Sequence, residues 1–149
     1  MSNIYFYLLL AVIAGAMMPT QAATNNKMAA IVDSPVLAAL ISFVVGTIAL
    51  FAYVIASGTP LGNLAAVKDA PPIAWAGGLL GAFFVAAAVT LVPRLGVAMT
   101  FSLLIAGQMI VTLVIDHFGL LGVPVKEISL ARVAGILLIT AGVVLIRKF

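Results

Sequence analysis

Three polar side chains recur at four-residue intervals in the second half of the chain: Gln108, Thr112 and Asp116. Residues four apart share a face of an α-helix, so they predict one polar stripe that ends at Asp116 and its neighbour His117. Proton and substrate can compete for a carboxyl group in a low-dielectric site, which is the physical basis of proton-coupled antiport. The stripe therefore predicts a substrate path at Gln108 and Thr112, with coupling or gating at Asp116.

Both residues at the end of this stripe also have simpler interpretations. Asp116 falls in the last turn of its predicted helix, where a solvated charge that anchors or gates the helix end is the ordinary expectation. Histidine can titrate near neutral pH, so His117 is a candidate second titrating group. A lone histidine at a membrane interface is more often structural, and both alternatives stay open.

A second polar pair lies near the amino terminus. Gln21 and Asn25 are four residues apart and share one helix face just beyond Pro19, which removes a backbone donor and predicts a bend. Such an amide pair can line a path for a polar or cationic solute, because polar groups inside a membrane are costly and mark functional sites. The alternatives are hydrogen bonding between helices, or a position of Asn25 in a loop.

The remaining residue types exclude several classes of function. The chain has no cysteine, and nothing in it resembles a nucleophile–base pair, a phosphate-binding glycine loop or a metal-ligating cluster. We therefore expect no enzyme activity, no cofactor and no metal. Seven lysines and arginines are too few for the concentrated basic face that nucleic-acid binding requires.

Composition and charge placement predict the elements that carry these side chains. Of the 149 residues 65% are hydrophobic and 7% are charged, and the charges separate long uncharged runs. A helix needs roughly 20 apolar residues to cross a bilayer. We predict an all-α, polytopic integral membrane protein with a single transmembrane domain, 1–149, in which Arg132 snorkels at the start of the last helix. The five predicted helices cover about 3–22, 35–57, 72–92, 96–116 and 129–146.

Glycines mark close packing on two of these helices. The third predicted helix carries Gly77, Gly78 and Gly81, and the fifth carries Gly135 and Gly142. Small residues let helix backbones approach each other in lipid. The glycines therefore predict either close packing within the chain or a seam between two copies, and we favour the fifth helix for the seam.

The loop charges only slightly favour one orientation of the chain across the membrane. Five spans would place four basic residues on one side of the membrane and two or three on the other, a very small positive-inside bias. A bias this small permits both orientations, so we expect a homodimer of antiparallel copies, the inverted-repeat architecture of larger transporters. The four are Lys27, Arg94, Arg147 and Lys148, and the others are Lys68, Lys126 and the helix-entry residue Arg132.

Four segments resemble one family. The run GQMIVTLVIDHFGLLG, from Gly107 to Gly122, resembles a signature of the YdcZ-like five-helix proteins in the drug/metabolite transporter superfamily. WAGGLLGA at 75–82, the link at 93–96 and the spacing of polar residues in the first helix agree with it. The resemblance assigns the motif positions Gly15, Gln21, Asn25, Gly78, Gly81, Gln108, Asp116, His117 and Gly119.

This resemblance implies a small inner-membrane exporter, distantly similar to small multidrug resistance proteins, which work as antiparallel homodimers. Those proteins carry a coupling glutamate in their first helix, whereas this first helix has no carboxylate. We expect alternating access in a homodimer that moves a small polar or cationic metabolite, since five helices are too few to enclose a route alone. The alternatives are a passive dual-topology channel and a non-transporting accessory subunit. The expected partners are the lipid bilayer, a second copy and an unidentified small molecule, with no nucleic acid.

Overall fold

In the computed structural model, which describes residues 4–148, the chain folds into five α-helices joined by short connections. Two of these connections contain 3-10 turns, at Leu61–Asp69 and Leu120–Gly122. The helices are α1 (Ile4–Val32), α2 (Pro35–Ala56), α3 (Pro72–Leu95), α4 (Val97–Phe118) and α5 (Leu130–Lys148).

Helix α1 ends ten residues later than the sequence predicted. The segment after residue 22, predicted to be a polar link, continues the helix to Val32. Its polar side chains bond to the helix itself: Asn26 Nδ2 donates to the Ala22 carbonyl at 2.9 Å, and Thr24 Oγ1 donates to the Gln21 carbonyl at 2.9 Å. Because these groups are satisfied locally, the polar composition does not end the helix.

A two-residue turn connects α1 to α2. Asp33 takes a left-handed conformation with φ +50°, and the amide of Ser34 bonds to the Ala29 carbonyl at 3.2 Å, which closes the end of α1. Ser34 Oγ then accepts a bond from the Leu37 amide at 3.2 Å and caps α2, whose first residue is Pro35. The two helices pack together as a hairpin with small buried residues, Ala22, Ala38 and Ala39, along their contact.

Helix α3 begins at Pro72 as predicted but ends at Leu95 rather than at residue 92. Pro93 lies inside its last turn, where its missing N–H removes one bond to a carbonyl four residues earlier, and the helix continues for only two residues beyond it. Gly96 follows the helix with a φ of +80°, which favours glycine.

The remaining helix ends lie within two residues of their predicted positions. Helix α2 ends at Ala56 instead of 57, and α4 covers Val97–Phe118 instead of 96–116. Helix α5 covers Leu130–Lys148 instead of 129–146. It begins one residue later than predicted because Ser129 is its cap: Ser129 Oγ accepts a bond from the Arg132 amide at 3.3 Å.

The described helices suit a lipid environment. Helices α1 to α4 are long and apolar enough to cross a membrane, and α5 contributes a shorter apolar helix, Leu130–Ile146. Most large apolar side chains are exposed, and the buried apolar residues are few and mostly alanine or valine. The prediction of an all-α polytopic membrane protein is therefore confirmed, whereas the homodimer stays a prediction.

The chain divides into two compact units, Met1–Pro93 and Arg94–Phe149. The first contains the α1–α2 hairpin, and the second contains α4 packed against α5. The prediction of a single transmembrane domain stays a prediction. Each unit carries one cluster of polar side chains, described in turn below.

Candidate functional site

A groove of about 290 Å³ lies between α1 and α2. The amide side chains of Gln21 and Asn25 lie on its α1 wall, and the hydroxyl of Ser42 lies on its α2 wall. Gln21 Nε2 donates a hydrogen bond to Ser42 Oγ at 3.3 Å, which joins the two walls. The remaining lining residues are Thr24, Met28, Ala38, Ile41 and Val45.

Asn25 is the unusual residue of this groove. It is 8% exposed, and its Nδ2 has no hydrogen-bond partner within the described chain. Buried polar side chains nearly always have partners, because leaving one unpaired costs about 1–3 kcal/mol. Asn25 also lies well inside α1, which ends seven residues later, and not in a loop. Asn25 therefore borders the groove and carries a buried donor that nothing in the described chain satisfies.

Ser42 was not among the predicted site residues. The signal was present: a lone hydroxyl stands seven residues after Pro35 in an otherwise apolar part of the second helix. A serine in such a run has several ordinary explanations, including a bond to its own backbone. Only the pairing of the two helices shows that it faces Gln21.

The second cluster lies at the connection between α4 and α5. Asp116 and Arg132 form a salt bridge between Asp116 Oδ2 and Arg132 Nη2. Arg132 Nη1 also donates to the backbone carbonyl of Lys126 at 2.9 Å. The guanidinium was predicted to snorkel toward headgroups, which stays a prediction; within the described chain it pairs with Asp116, because a charge-assisted bond to a carboxylate is available one helix away.

Backbone contacts close the same connection. The Lys126 amide donates to the Asp116 carbonyl at 2.8 Å, and the Ile128 amide donates to His117 Nδ1 at 3.4 Å. Gly119 ends α4 with φ +60°, and a Cβ added there would lie 2.7 Å from Val125 Cγ2. We call the residues Asp116, His117, Gly119, Lys126 and Arg132 the clasp, because their contacts hold the α4–α5 connection against the end of α4.

The clasp changes how Asp116 and His117 are interpreted. Each of them makes a specific contact that positions the chain, with 22% of the Asp116 side chain exposed and 32% of the Arg132 side chain exposed. Arg132 was not among the predicted site residues, because a basic residue at a helix entry is expected to be a topology charge. The coupling or gating role of Asp116 and His117 stays a prediction.

Gln108 and Thr112 lie on the same helix face as Asp116, as their spacing requires. Thr112 Oγ1 donates to the Gln108 carbonyl at 2.8 Å, so its hydroxyl is used within α4. Thr112 also borders a second groove, of about 220 Å³, whose other lining residues are apolar apart from Arg132. The Gln108 residue is exposed. Their predicted role as a substrate path stays a prediction.

The predicted packing glycines differ in their surroundings. A Cβ added at Gly81 would lie 3.6 Å from the ring of Phe43, which is an ordinary van der Waals distance. Within the described chain, a Cβ added at any of the other four, Gly77, Gly78, Gly135 and Gly142, would meet no atom within 4 Å. Close packing within the chain and a seam between copies therefore both stay predictions.

The comparison with known families agrees with these features. The sequence profile of a family described as "Putative inner membrane exporter, YdcZ" matches residues 6–145, a range that includes both grooves and the clasp. No curated protein and no solved structure matches the chain. The family is one of exporters and not of enzymes. With its apolar helices and a match along nearly its whole length, the chain belongs to the YdcZ family and is a multi-pass protein of the inner membrane.

Proposed function

We propose that the chain is one subunit of a homodimeric exporter that moves a small polar metabolite through alternating access. The observation that carries this proposal is the unpartnered amide of Asn25 in the α1–α2 groove. A polar group buried between membrane helices is costly unless something pairs with it. A transported solute is a partner that binds transiently, and membership of an exporter family supports that choice.

Replacing Asn25 by leucine is expected to lower the flux of a transported solute about tenfold or more, because a hydrogen bond to a buried site is lost. Flux is measured with the purified protein in proteoliposomes, by solid-supported-membrane electrophysiology and radiolabelled uptake over a panel of amines, amino acids and small anions. Asn26→Leu is the matched control, since the Asn26 amide donates to its own helix and is not part of the groove lining. Equal flux in both variants would show that the α1–α2 groove is not part of the substrate path.

The same vesicles separate the exporter from its rivals. A transporter saturates and shows counterflow, in which unlabelled solute inside drives labelled solute inward. A passive channel instead gives fast leakage along the gradient without counterflow. An accessory subunit gives no flux alone and co-purifies with a larger partner, so a null result across the panel with folded protein would favour it.

The homodimer is supported by the surface of α5. Gly135 and Gly142 are two turns apart on one face, and a Cβ added at either would meet no atom of the described chain within 4 Å, although Gly135 also borders the groove between α4 and α5. Glycine in the interior of a helix is favoured in membranes where a second backbone approaches. Because the chain buries few of its own apolar side chains, a second copy packed at this face would also reduce the exposed apolar surface.

Cysteine cross-linking is expected to give the direction of the pairing, since the chain has no native cysteine. Gly135 and Gly142 lie symmetrically about the middle of α5, so in an antiparallel dimer Gly135→Cys pairs with Gly142→Cys on the other copy. In a parallel dimer each variant pairs with itself. Co-expression of differently tagged copies measures the mixed product, with Leu137→Cys on the opposite face as control. Self-pairing alone, or one orientation of a C-terminal topology reporter, would contradict the antiparallel arrangement.

A further inference from the structure

We infer that the α1–α2 groove binds an uncharged solute that carries an amide or similar carbonyl group on a short apolar body. This inference rests on the proposed function for its biological purpose, but it concerns binding and can be tested separately. It narrows the expected class of substrate, because a cationic solute was equally compatible with the sequence.

None of the described residues that line the groove is charged. Among the described residues that line it, four are polar but neutral and four are apolar. An ion that leaves water needs an opposite charge or several strong hydrogen bonds to offset its lost hydration. This groove offers no carboxylate to an ammonium group and no lysine or arginine to a carboxylate. A neutral polar group is therefore favoured over an ion of either sign.

Three polar side chains at the groove have hydrogen-bonding atoms that no other group of the described chain uses. Asn25 Nδ2 is an unused donor. Ser42 Oγ accepts the bond from Gln21 Nε2, so its own proton is free to point at a ligand, and Gln21 Oε1 remains as an acceptor. Thr24 is different, because its hydroxyl already donates to the Gln21 carbonyl. When the Asn25 side chain turns into the groove, its Nδ2, the Ser42 hydroxyl and Gln21 Oε1 together supply donors and an acceptor that complement the carbonyl oxygen and the N–H of an amide.

The volume of the groove and its apolar lining limit the size and the polarity of the solute. Sites for drug-sized ligands measure roughly 300–1,000 Å³. A groove of about 290 Å³ lies just below that range, so it suits a solute with a few carbon atoms. Met28, Ile41 and Val45 supply apolar surface for such a body, whereas a larger hydrophilic solute would leave this surface unused.

Three probes of equal chain length test the inference: pentanamide, pentylammonium and pentanoate. Their binding is measured by equilibrium dialysis against the full chain in lipid nanodiscs, with protein-free nanodiscs subtracted for partition into lipid. We expect saturable binding of pentanamide, at least about tenfold tighter than that of either ion, the factor that corresponds to one good hydrogen bond. Tighter binding of pentylammonium or pentanoate, or no saturable binding of any probe, would overturn the inference.

Two variants connect the binding to Asn25. Asn25→Leu is expected to weaken pentanamide binding about tenfold, whereas Asn26→Leu leaves it unchanged. Asn25→Asp places a carboxylate at nearly the same position, so it is expected to reverse the preference toward pentylammonium. A folded Asn25→Asp variant with the wild-type preference would contradict the assignment, and circular dichroism in the same nanodiscs confirms the fold of each variant.

The result of the binding test can be distinguished from the result of the flux test of the proposed function. If the wild-type protein shows counterflow of a cation and binds pentylammonium best, the exporter stands and the neutral-amide inference fails. If pentanamide binds through Asn25 but neither pentanamide nor any solute of the flux panel is transported, the binding site stands and the exporter fails. The two measurements therefore test the two statements independently.

Discussion

Asp116→Asn is expected to destabilise the α4–α5 connection by about 1–3 kcal/mol, because it leaves the Arg132 guanidinium without its carboxylate. The figure is below the roughly 3–5 kcal/mol of a fully buried pair, since water reaches 22% of the Asp116 side chain and 32% of the Arg132 side chain. Equilibrium unfolding in mixed detergent micelles measures the loss. Hydrogen exchange of the Lys126 amide, which donates to the Asp116 carbonyl, measures it locally.

Asp33→Asn is the matched control for this substitution. Asp33 is exposed in the α1–α2 turn with φ +50°, a conformation that asparagine tolerates as well as aspartate. Its replacement is therefore expected to change the free energy of unfolding by less than about 0.5 kcal/mol, as for an ordinary surface position. Equal losses at Asp33 and Asp116 would show that the salt bridge contributes nothing specific.

The double variant Asp116→Asn, Arg132→Gln separates the structural role from a coupling role. With both charges removed, no unpaired ion remains, so the double variant is expected to be more stable than the sum of the single losses predicts. If Asp116 acts through the clasp, flux in proteoliposomes returns along with stability. If Asp116 binds the coupling proton, the double variant stays inactive although it is folded, because no carboxylate remains to titrate.

The helices were predictable because membrane spans follow from composition. Uncharged apolar runs, Ser34-Pro35 before α2 and the proline pair before α3 mark elements whose cause is local. The largest error concerned the end of α1. Asn25, Asn26 and Lys27 suggest a loop by composition, but the Asn26 amide is satisfied by its own helix and Asn25 is buried against α2. Local polarity alone does not show where such side chains point.

The site residues likewise divide into those that local spacing predicts and those whose partners lie on another helix. Helical spacing correctly placed Gln21 with Asn25, because a period of 3.6 residues fixes the face that they share. Ser42 and Arg132 were missed because each acquires its partner from another helix, and no local pattern encodes which helix that is. Gly119 was identified through the family resemblance alone. Its reason appears only when Val125 is seen to fold back on it.

Gly119→Ala is expected to destabilise the protein by about 2–4 kcal/mol, combining a left-handed backbone with overpacking. The φ of +60° disfavours any residue with a Cβ. The new methyl group would also lie 2.7 Å from Val125 Cγ2 and 3.3 Å from the Val123 carbonyl oxygen. Because the second of these atoms belongs to the backbone, the connection would have to shift, and the Lys126 bond to Asp116 would weaken with it.

Gly58→Ala separates the cost of the left-handed backbone from the cost of overpacking. Gly58 has a similar φ of +66°, but a Cβ added there meets no atom of the described chain within 4 Å, so only the backbone cost of about 1–2 kcal/mol applies. The excess loss at Gly119, measured by the same micellar unfolding, is the contribution of the close approach. Val125→Ala in the Gly119→Ala background removes the nearest atom and is expected to recover part of that excess. Equal losses at Gly58 and Gly119 would mean that Val125 does not pack against the end of α4, and the clasp would then lack one of its contacts.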